Sequence, residues 1–110
     1  MRHIKRRWAV QDRYGNEIYL SEERWKHIIA PTNHPEMAEF EEHLKRTIKF
    51  GKRRQEPLNP RKFRYYMAFD DLCEDNTHIV AIVLFRFTVD DAGQTQPNNY
   101  VVTAFQKEIG

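Results

Sequence analysis

The hydrophobic period of the chain changes near residue 51, and this change constrains the fold more than any other feature. Between residues 37 and 48 the apolar side chains recur every three or four residues; they are Met37, Phe40, Leu44 and Ile48. This stripe predicts an amphipathic helix with Pro35 at its first position and Gly51 as its stop. From residue 63 onward apolar and polar residues alternate, which is the period of a β-strand. The sequence therefore predicts an α+β fold in which helices precede a sheet.

The segment before this helix predicts a β-hairpin and a shorter helix. Residues 8–12 and 17–20 are short extended runs on either side of a Gly-Asn pair that is typical of turns. Ser21 suits a helix N-cap, because its hydroxyl can accept a hydrogen bond from a backbone N–H two or three residues later. A proline at position 31 places the end of this helix near Ile29.

Four further strands are predicted, and we expect them to pair as an antiparallel sheet. They cover residues 52–56, 63–69, 77–88 and 100–106. The third of these is apolar on both faces, which favours a position in the middle of the sheet, and residues 90–98 indicate a loose hairpin loop. The predicted architecture is an N-terminal hairpin and two helices followed by a four-stranded antiparallel sheet. We expect a single domain over residues 1–110, with its core between about 8 and 107.

The composition argues against several classes of protein. The only cysteine, Cys73, can form neither an internal disulfide nor a multi-cysteine zinc site. The lack of disulfides is typical of proteins from a reducing compartment. The longest apolar run covers only residues 79–85, whereas a membrane helix needs about 20 residues. No apolar segment follows the basic N-terminus, so no secretory signal is predicted. We therefore expect a cytoplasmic protein without a membrane partner.

The charge is divided unevenly along the chain, although the net charge is only +2. Residues 1–66 hold 16 of the 18 Lys and Arg but 9 of the 16 Asp and Glu, and the basic residues are densest between positions 45 and 64. A surface of this kind attracts polyanions such as nucleic acids. Charge alone is equally compatible with a solvated helix face and a basic loop.

The sequence contains no cofactor motif: it has no Gly-rich phosphate loop, Walker lysine or dinucleotide fingerprint. His27 and His34 could share a metal ion, but no further ligands accompany them, so we predict neither a metal nor a cofactor. The remaining combination of His, Tyr and Arg suits cleavage of RNA by its own 2′-hydroxyl. Histidine exchanges protons near neutral pH, arginine binds phosphate through paired hydrogen bonds, and tyrosine donates a proton or stacks on a base. Each of these residues could also have a purely structural role: packing at the edge of the core, capping a helix, or lying on the exposed face of a strand.

Short motifs give the chain a resemblance to a known family. Trp25-Lys26-His27-Ile28 and His34-Pro35-Glu36-Met37, followed by an amphipathic helix, resemble the phage-associated members of the barnase–EndoU–colicin–RelE class of small ribonucleases. Tyr65-Tyr66 and Thr103-Ala104-Phe105 resemble the aromatic pair and the last-strand motif of these proteins. The resemblance spans about residues 17–109. The chain departs from the family pattern in lacking a basic residue just before His34.

The resemblance implies a metal-independent endoribonuclease that cleaves RNA by 2′-hydroxyl attack, in a toxin-like or mobile-element setting. It implies RNA as the substrate, no cofactor, and a protein inhibitor of the antitoxin or immunity type as a candidate partner. The residues expected to be catalytic are His27 as general acid or base, Arg64 on the phosphate, Tyr66 as second acid or stacking group, and Thr103 as an orienting group. Those expected to bind nucleic acid are His34, Lys52, Arg53, Arg54 and Arg61. The alternatives are a nucleic-acid-binding module or a protein-interaction module on the same fold.

Overall fold

A computed structural model of the protein describes residues 4–109. The N-terminal half contains β1 (Arg6–Gln11), β2 (Glu17–Ser21), α1 (Glu22–Ile28), a 3₁₀ helix (Pro35–Glu39) and α2 (Glu41–Phe50). The C-terminal half contains β3 (Lys52–Glu56), β4 (Asn59–Ala68), β5 (His78–Leu84), β6 (Phe87–Val89), β7 (Thr95–Pro97) and β8 (Asn99–Lys107). The α+β class predicted from the sequence is confirmed.

Six strands form one mixed sheet in the order β1-β2-β8-β5-β4-β3. The four predicted strands are present as β3, β4, β5 and β8, and they pair antiparallel with β5 in an interior position. The expectation of a sheet limited to these four strands is wrong. β2 pairs in parallel with β8, through Ile18 opposite Asn99 and Tyr19 opposite Tyr100, and thereby adds the N-terminal hairpin to the sheet. These partners lie at opposite ends of the chain, so no local pattern indicates their pairing.

Two segments differ locally from the prediction. The predicted second helix is divided at Phe40, whose φ of −120° and ψ of 26° are not helical, into the 3₁₀ helix and α2. His34 provides no side-chain hydrogen bond as N-cap of the 3₁₀ helix. The predicted third strand (77–88) ends at Leu84. Phe87–Val89, at and just after its predicted end, and Thr95–Pro97, from the predicted loop, form a separate two-stranded ribbon, β6 and β7. All the residues of this ribbon are exposed, so burial imposed no pattern that the sequence could display.

The first helix follows the prediction closely. Ser21 is its N-cap, and the Ser21 hydroxyl accepts a hydrogen bond from the Arg24 backbone N–H at 3.1 Å. Trp25 and Ile28, three residues apart and therefore on one side of the helix, are buried. Because α1 packs on β2 and β8, it also covers the place where the hairpin joins the rest of the sheet.

The helices cover one face of the sheet. α1 packs on β2 and β8, and α2 packs on β4 and β5. A row of buried residues on the covered face runs from Tyr65 on β4 through Ala81 on β5 to Ala104 on β8. Successive side chains of a strand point to opposite faces. The neighbouring row therefore faces away from the helices, and it contains Tyr66, Val80 and Phe105.

Gly51 joins α2 to β3 at a point where the backbone lies very close to β4. A Cβ atom at this position would collide with the carbonyl oxygens of Thr47 and Tyr66. Glycine is the residue that allows such a close approach. β3 is thus held against β4 from its first residue, with Lys52 opposite Tyr66.

A buried carboxylate connects the two edges of the sheet. Asp12 follows the edge strand β1, and its side chain is fully buried. It accepts a hydrogen bond from the Tyr65 hydroxyl on β4 and lies 3.9 Å from Arg53 on β3, the opposite edge strand. In a flat sheet, β1 and β4 would lie four strand spacings apart, about 19 Å. The contact therefore requires the sheet to coil around the core, as twisted sheets do.

The same network fixes the ionisation of its members. Burial acts to raise the pKa of Asp12, but hydrogen bonds from the Tyr65 hydroxyl and from Asn16 and Tyr14 outweigh it and hold that pKa below its usual range. Burial and the adjacent carboxylate raise the pKa of Tyr65 above its usual range. At neutral pH the pair is therefore a carboxylate that accepts from a neutral phenol.

Replacing Tyr65 with phenylalanine should lower the free energy of unfolding by about 1–3 kcal/mol, because Asp12 then stays buried without its hydroxyl donor. Tyr66→Phe removes a hydroxyl from the uncovered face of the same strand, and it should change stability by less than about 0.5 kcal/mol. Urea unfolding followed by tryptophan fluorescence measures both variants. Equal losses in the two variants would contradict the role assigned to the Asp12–Tyr65 contact.

Acid should destabilise the fold in part through Asp12. Its pKa is lowered in the folded state, so its stabilisation is fully present above the unfolded pKa of about 4 and is lost as the pH falls through the folded value. Asp12→Asn should therefore be less stable than the wild type at pH 7, and the difference should shrink between about pH 5 and 3. Thermal unfolding across this range tests the expectation. A difference that stays constant with pH would contradict it.

Candidate nucleic-acid interface

The face of the sheet that the helices leave uncovered, here called the open face, is built from three rows of cross-strand neighbours. The first row is Lys52, Tyr66, Val80 and Phe105; the second is Arg54, Arg64, Ile82 and Thr103; the third is Ala68, His78 and Lys107. The strands are β3, β4, β5 and β8, so a full row spans about 14 Å. Regular strand pairing holds these side chains at fixed spacings.

The open face has an apolar centre with cations at one side. Val80 and Ile82 lie between the basic side chains of β3 and β4 and the side chains of β8. A groove of about 610 Å³ runs over the β3–β4 side, and its lining includes Arg54, Arg64 and Tyr66. On a sheet, flexible cations can hold phosphates, and partly exposed aromatic rings beside them can stack on unpaired bases.

Arg64 is a partly paired cation in this groove. Its Nε lies 3.3 Å from a carboxylate oxygen of Glu56, but no hydrogen bond of good geometry reaches this buried nitrogen within residues 4–109. The terminal amino groups of Arg64 have no acceptor in the described part of the chain. The guanidinium therefore retains donors that an incoming phosphate can use.

His34 reaches the open face from the helical layer. The 3₁₀ helix that follows it packs against β8, and the His34 ring lies 5.6 Å from the ring of Phe105. The backbone N–H of His34 donates to the Ile28 carbonyl at 2.9 Å, and its Nδ1 lies 3.5 Å from the carboxylate of Glu36. β2 pairs only with the first two residues of β8, Asn99 and Tyr100. His34 lies beside a later residue of β8, Phe105.

Most of the predicted site residues come together on or beside this face: Arg64, Tyr66, Thr103, His34, Lys52 and Arg54. Three do not, and they are His27, Arg53 and Arg61. Arg61 is exposed near the start of β4. Because side chains alternate between the two faces of a strand, Arg61 and Arg64, which are three residues apart, point to opposite faces.

His27 is exposed on α1 and is not connected to the other predicted site residues. Its backbone carbonyl accepts a hydrogen bond from the Asn33 side-chain amide at 2.8 Å. Within residues 4–109 its imidazole has no hydrogen bond, ion pair or ring contact. The helix fixes the backbone of His27, as expected, but no described contact orients the ring.

Arg53 faces the helical layer, because it alternates with Arg54 along β3. Its guanidinium lies 3.9 Å from Asp12, donates to the Tyr65 hydroxyl at 3.3 Å, and sits 4.3 Å from the centre of the Tyr14 ring. These contacts use its charge and its planar surface inside the protein. Arg53 is therefore placed as a structural residue, and Arg54 as the β3 cation of the open face.

Sequence reasoning missed His78, which lies on the open face two residues before Val80. Its ring centre is 6.4 Å from that of Tyr66. The alternation along β5 could have placed His78 and Val80 on one face. Only the pairing register, however, brings His78 next to residues of β4 and β8.

A second histidine cluster, also missed, lies away from the open face. His43 on α2 stands between the rings of Phe40 and Phe69, and its Nε2 lies 2.8 and 3.0 Å from the two carboxylate oxygens of Asp71. The hydrogen bond from His43 lowers the pKa of Asp71. The cluster borders a pocket of about 550 Å³ together with Arg46. These contacts attach the loop after β4 to α2.

Comparison with known proteins identifies no relative. A scan against protein-family models found no match, and searches of curated proteins and of solved structures found no similar protein. Within residues 4–109 no helix is long and apolar enough to cross a membrane. In the same part of the chain no three His, Cys, Asp or Glu side chains form a group that could hold a metal ion. The chemistry of the open face therefore has to be judged from its own residues.

Neutralising Arg53 and Arg54 one at a time should have different effects, one on the stability of the protein and the other on its binding of an oligonucleotide. Arg53→Gln should lower the free energy of unfolding by about 1–3 kcal/mol, because it removes a partner of the buried Asp12 carboxylate and the Tyr65 hydroxyl. Arg54→Gln should leave stability within about 0.5 kcal/mol and weaken binding of a single-stranded oligonucleotide. Unfolding curves and fluorescence anisotropy titrations at several salt concentrations measure the two effects. If Arg53→Gln instead reduced binding without a loss of stability, the assignment of faces would be wrong.

Proposed function

We propose that the protein is a metal-independent endoribonuclease that cleaves single-stranded RNA on the open face of its sheet. The observation that carries the proposal is the convergence of a histidine, an arginine and a tyrosine around an apolar centre. His34 stands on the β8 side, whereas Arg64 and Tyr66 stand on β4. Across the row, Tyr66 and Phe105 are two strand spacings apart, about 10 Å, with the buried Val80 between them.

The reaction needs two proton transfers and stabilisation of a phosphate that gains negative charge. A general base removes the proton of the 2′-hydroxyl, whose oxygen attacks the neighbouring phosphorus. The bond to the 5′-oxygen breaks, a general acid protonates that oxygen, and the products are a 2′,3′-cyclic phosphate and a free 5′-hydroxyl. Cations and hydrogen-bond donors around the phosphate stabilise the transition state.

The side chains of the open face match these requirements. His34 is suited to proton transfer, because its ring is held beside Phe105 and its backbone is tied to Ile28. Arg64 offers free donors to the phosphate, and Arg54 is its cross-strand neighbour. Tyr66 can stack on a base or donate a proton, and Thr103 lies across the face from Arg64, where it can orient a phosphate or a water.

His27 was the histidine first expected to be catalytic, and His34 is the better candidate. A general acid or base must come within hydrogen-bond reach of the proton that it transfers. His34 touches a residue of the open face, whereas the described chain gives the His27 ring no contact with it. We therefore assign the proton-transfer role to His34.

The competing function is binding of single-stranded nucleic acid without cleavage. One observation favours it: Glu56 pairs with Arg64 and partly neutralises a cation that catalysis would use. A binding module would show salt-dependent affinity, because its cations displace counterions from phosphates, but no turnover. It would also bind ribose and deoxyribose strands alike unless a residue contacts the 2′-hydroxyl.

The purified protein should cleave end-labelled single-stranded RNA in the presence of EDTA and leave the matching DNA strand intact. His34→Asn should reduce the cleavage rate by about 10²- to 10⁴-fold, as expected for loss of a proton-transfer group. His27→Asn is the matched control and should retain the rate. Gel analysis with terminal-phosphate mapping measures both the rate and the cyclic product.

Two results would contradict the proposal in different ways. Salt-sensitive binding of RNA with no cleavage of any tested sequence would favour the binding module. Cleavage that His27→Asn abolishes and His34→Asn spares would retain the ribonuclease function but overturn the choice of histidine.

A further inference from the structure

We propose that His78 is a second proton-transfer residue of the open face and works with His34 in cleaving the RNA backbone. This inference rests on the proposed ribonuclease function. A reaction with one base and one acid needs two such groups, and the sequence motifs contributed only one histidine to this face. His78 is the second described histidine there.

The position of His78 suits this role. It lies on β5, an interior strand, between Ala68 on β4 and Lys107 on β8. Its ring centre is 6.4 Å from that of Tyr66. Phe105, whose ring contacts the His34 ring, is the diagonal cross-strand neighbour of His78, at a distance of about 7–8 Å for such pairs. His78 is thus next to Tyr66 and His34 is next to Phe105, and both of these rings belong to the same row.

The hydroxyl of Thr77 orients the His78 ring. Thr77 Oγ1 lies 2.7 Å from His78 Nδ1, accepts the backbone N–H of Ile109 at 2.9 Å, and is 3.5 Å from the carbonyl oxygens of Lys107 and Ile109. A hydroxyl has one hydrogen to donate and accepts two. When Nδ1 carries a proton, the hydroxyl accepts from Nδ1–H and from Ile109 and donates to one of the carbonyls; when Nδ1 carries none, the hydroxyl donates to Nδ1 instead.

This arrangement leaves the other ring nitrogen for chemistry. The hydrogen bond made by one imidazole nitrogen sets which nitrogen exchanges the proton. Because Nδ1 is bonded to the Thr77 hydroxyl in either tautomer, the atom left to exchange a proton with RNA is Nε2, and no group within residues 4–109 makes a hydrogen bond or ion pair with it. A 2′-hydroxyl or a leaving 5′-oxygen can therefore approach it directly.

The surroundings of both histidines are defined. His78 has Tyr66 and Ala68 beside it on β4 and Lys107 on β8, with Thr77 bound to its ring. On the far side of the row, His34 has the carboxylate of Glu36 and the ring of Phe105. The two histidines thus have different neighbours, a carboxylate and an aromatic ring for His34 and a hydroxyl for His78.

The test is the pH dependence of RNA cleavage in EDTA between about pH 5 and 9. The wild type should give a bell-shaped profile of kcat. His78→Asn should lower kcat by about 10²- to 10⁴-fold, remove one limb of the bell and change KM little. His78→Ala should be partly restored by added imidazole, which a purely structural role would not produce. His43→Asn, which alters the histidine bound to Asp71, is the control and should keep both limbs.

Thr77→Val tests the positioning role. It should lower kcat less than His78→Asn does, and the double variant should be no slower than His78→Asn alone, because both changes affect one group. Binding of an all-DNA strand with unchanged affinity shows that each variant is folded. If the wild type cleaves RNA and His78→Asn keeps its rate and both limbs, the role of His78 is refuted while the ribonuclease function stands. A wild type that cleaves no RNA at any pH refutes both.

Discussion

The buried contact of Asp12 with Tyr65 and Arg53 is the interaction on which the architecture depends. It ties the turn after β1 to β3 and β4 at the other side of the sheet, across a distance that a flat sheet could not bridge. The sheet must therefore coil around the helices, which pack on one of its faces. The opposite face consists mainly of strand side chains, which alternation along each strand selects, and His34 reaches it from the helical layer.

Alternation and register together separate the residues of the buried network from those of the open face. Arg53 and Arg54 are adjacent in sequence, yet one completes the buried Asp12 network and the other lies on the open face. Tyr65 and Tyr66 divide in the same way. Arg53 and Tyr65 point inward and help to hold the strands together. The backbone positions of Arg54 and Tyr66, which point outward, are therefore fixed by the same strands. A site built on paired strands is pre-organised in this sense.

Local patterns predicted the elements, whereas pairing distant in sequence decided how they assemble. The apolar stripe leading into α2, the Ser21 cap of α1 and the strands β3, β4, β5 and β8 were accessible to sequence reasoning. The parallel pairing of β2 with β8 was not, because its partners share no local signal. The same limit applied to the site: strand alternation could group Arg64 with Tyr66, but only tertiary structure brings in His34 from the helical layer and His78 from β5.

The most direct test of the central claim, that RNA is held on the open face, is an amide and side-chain NMR titration with single-stranded 2′-O-methyl RNA. This strand binds like RNA but lacks the attacking hydroxyl. The largest shift changes should fall on Arg54, Arg64 and Tyr66 and extend to His34 and His78, with little change around the pocket beside His43. Changes concentrated at that pocket, or no changes at low salt, would contradict the claim.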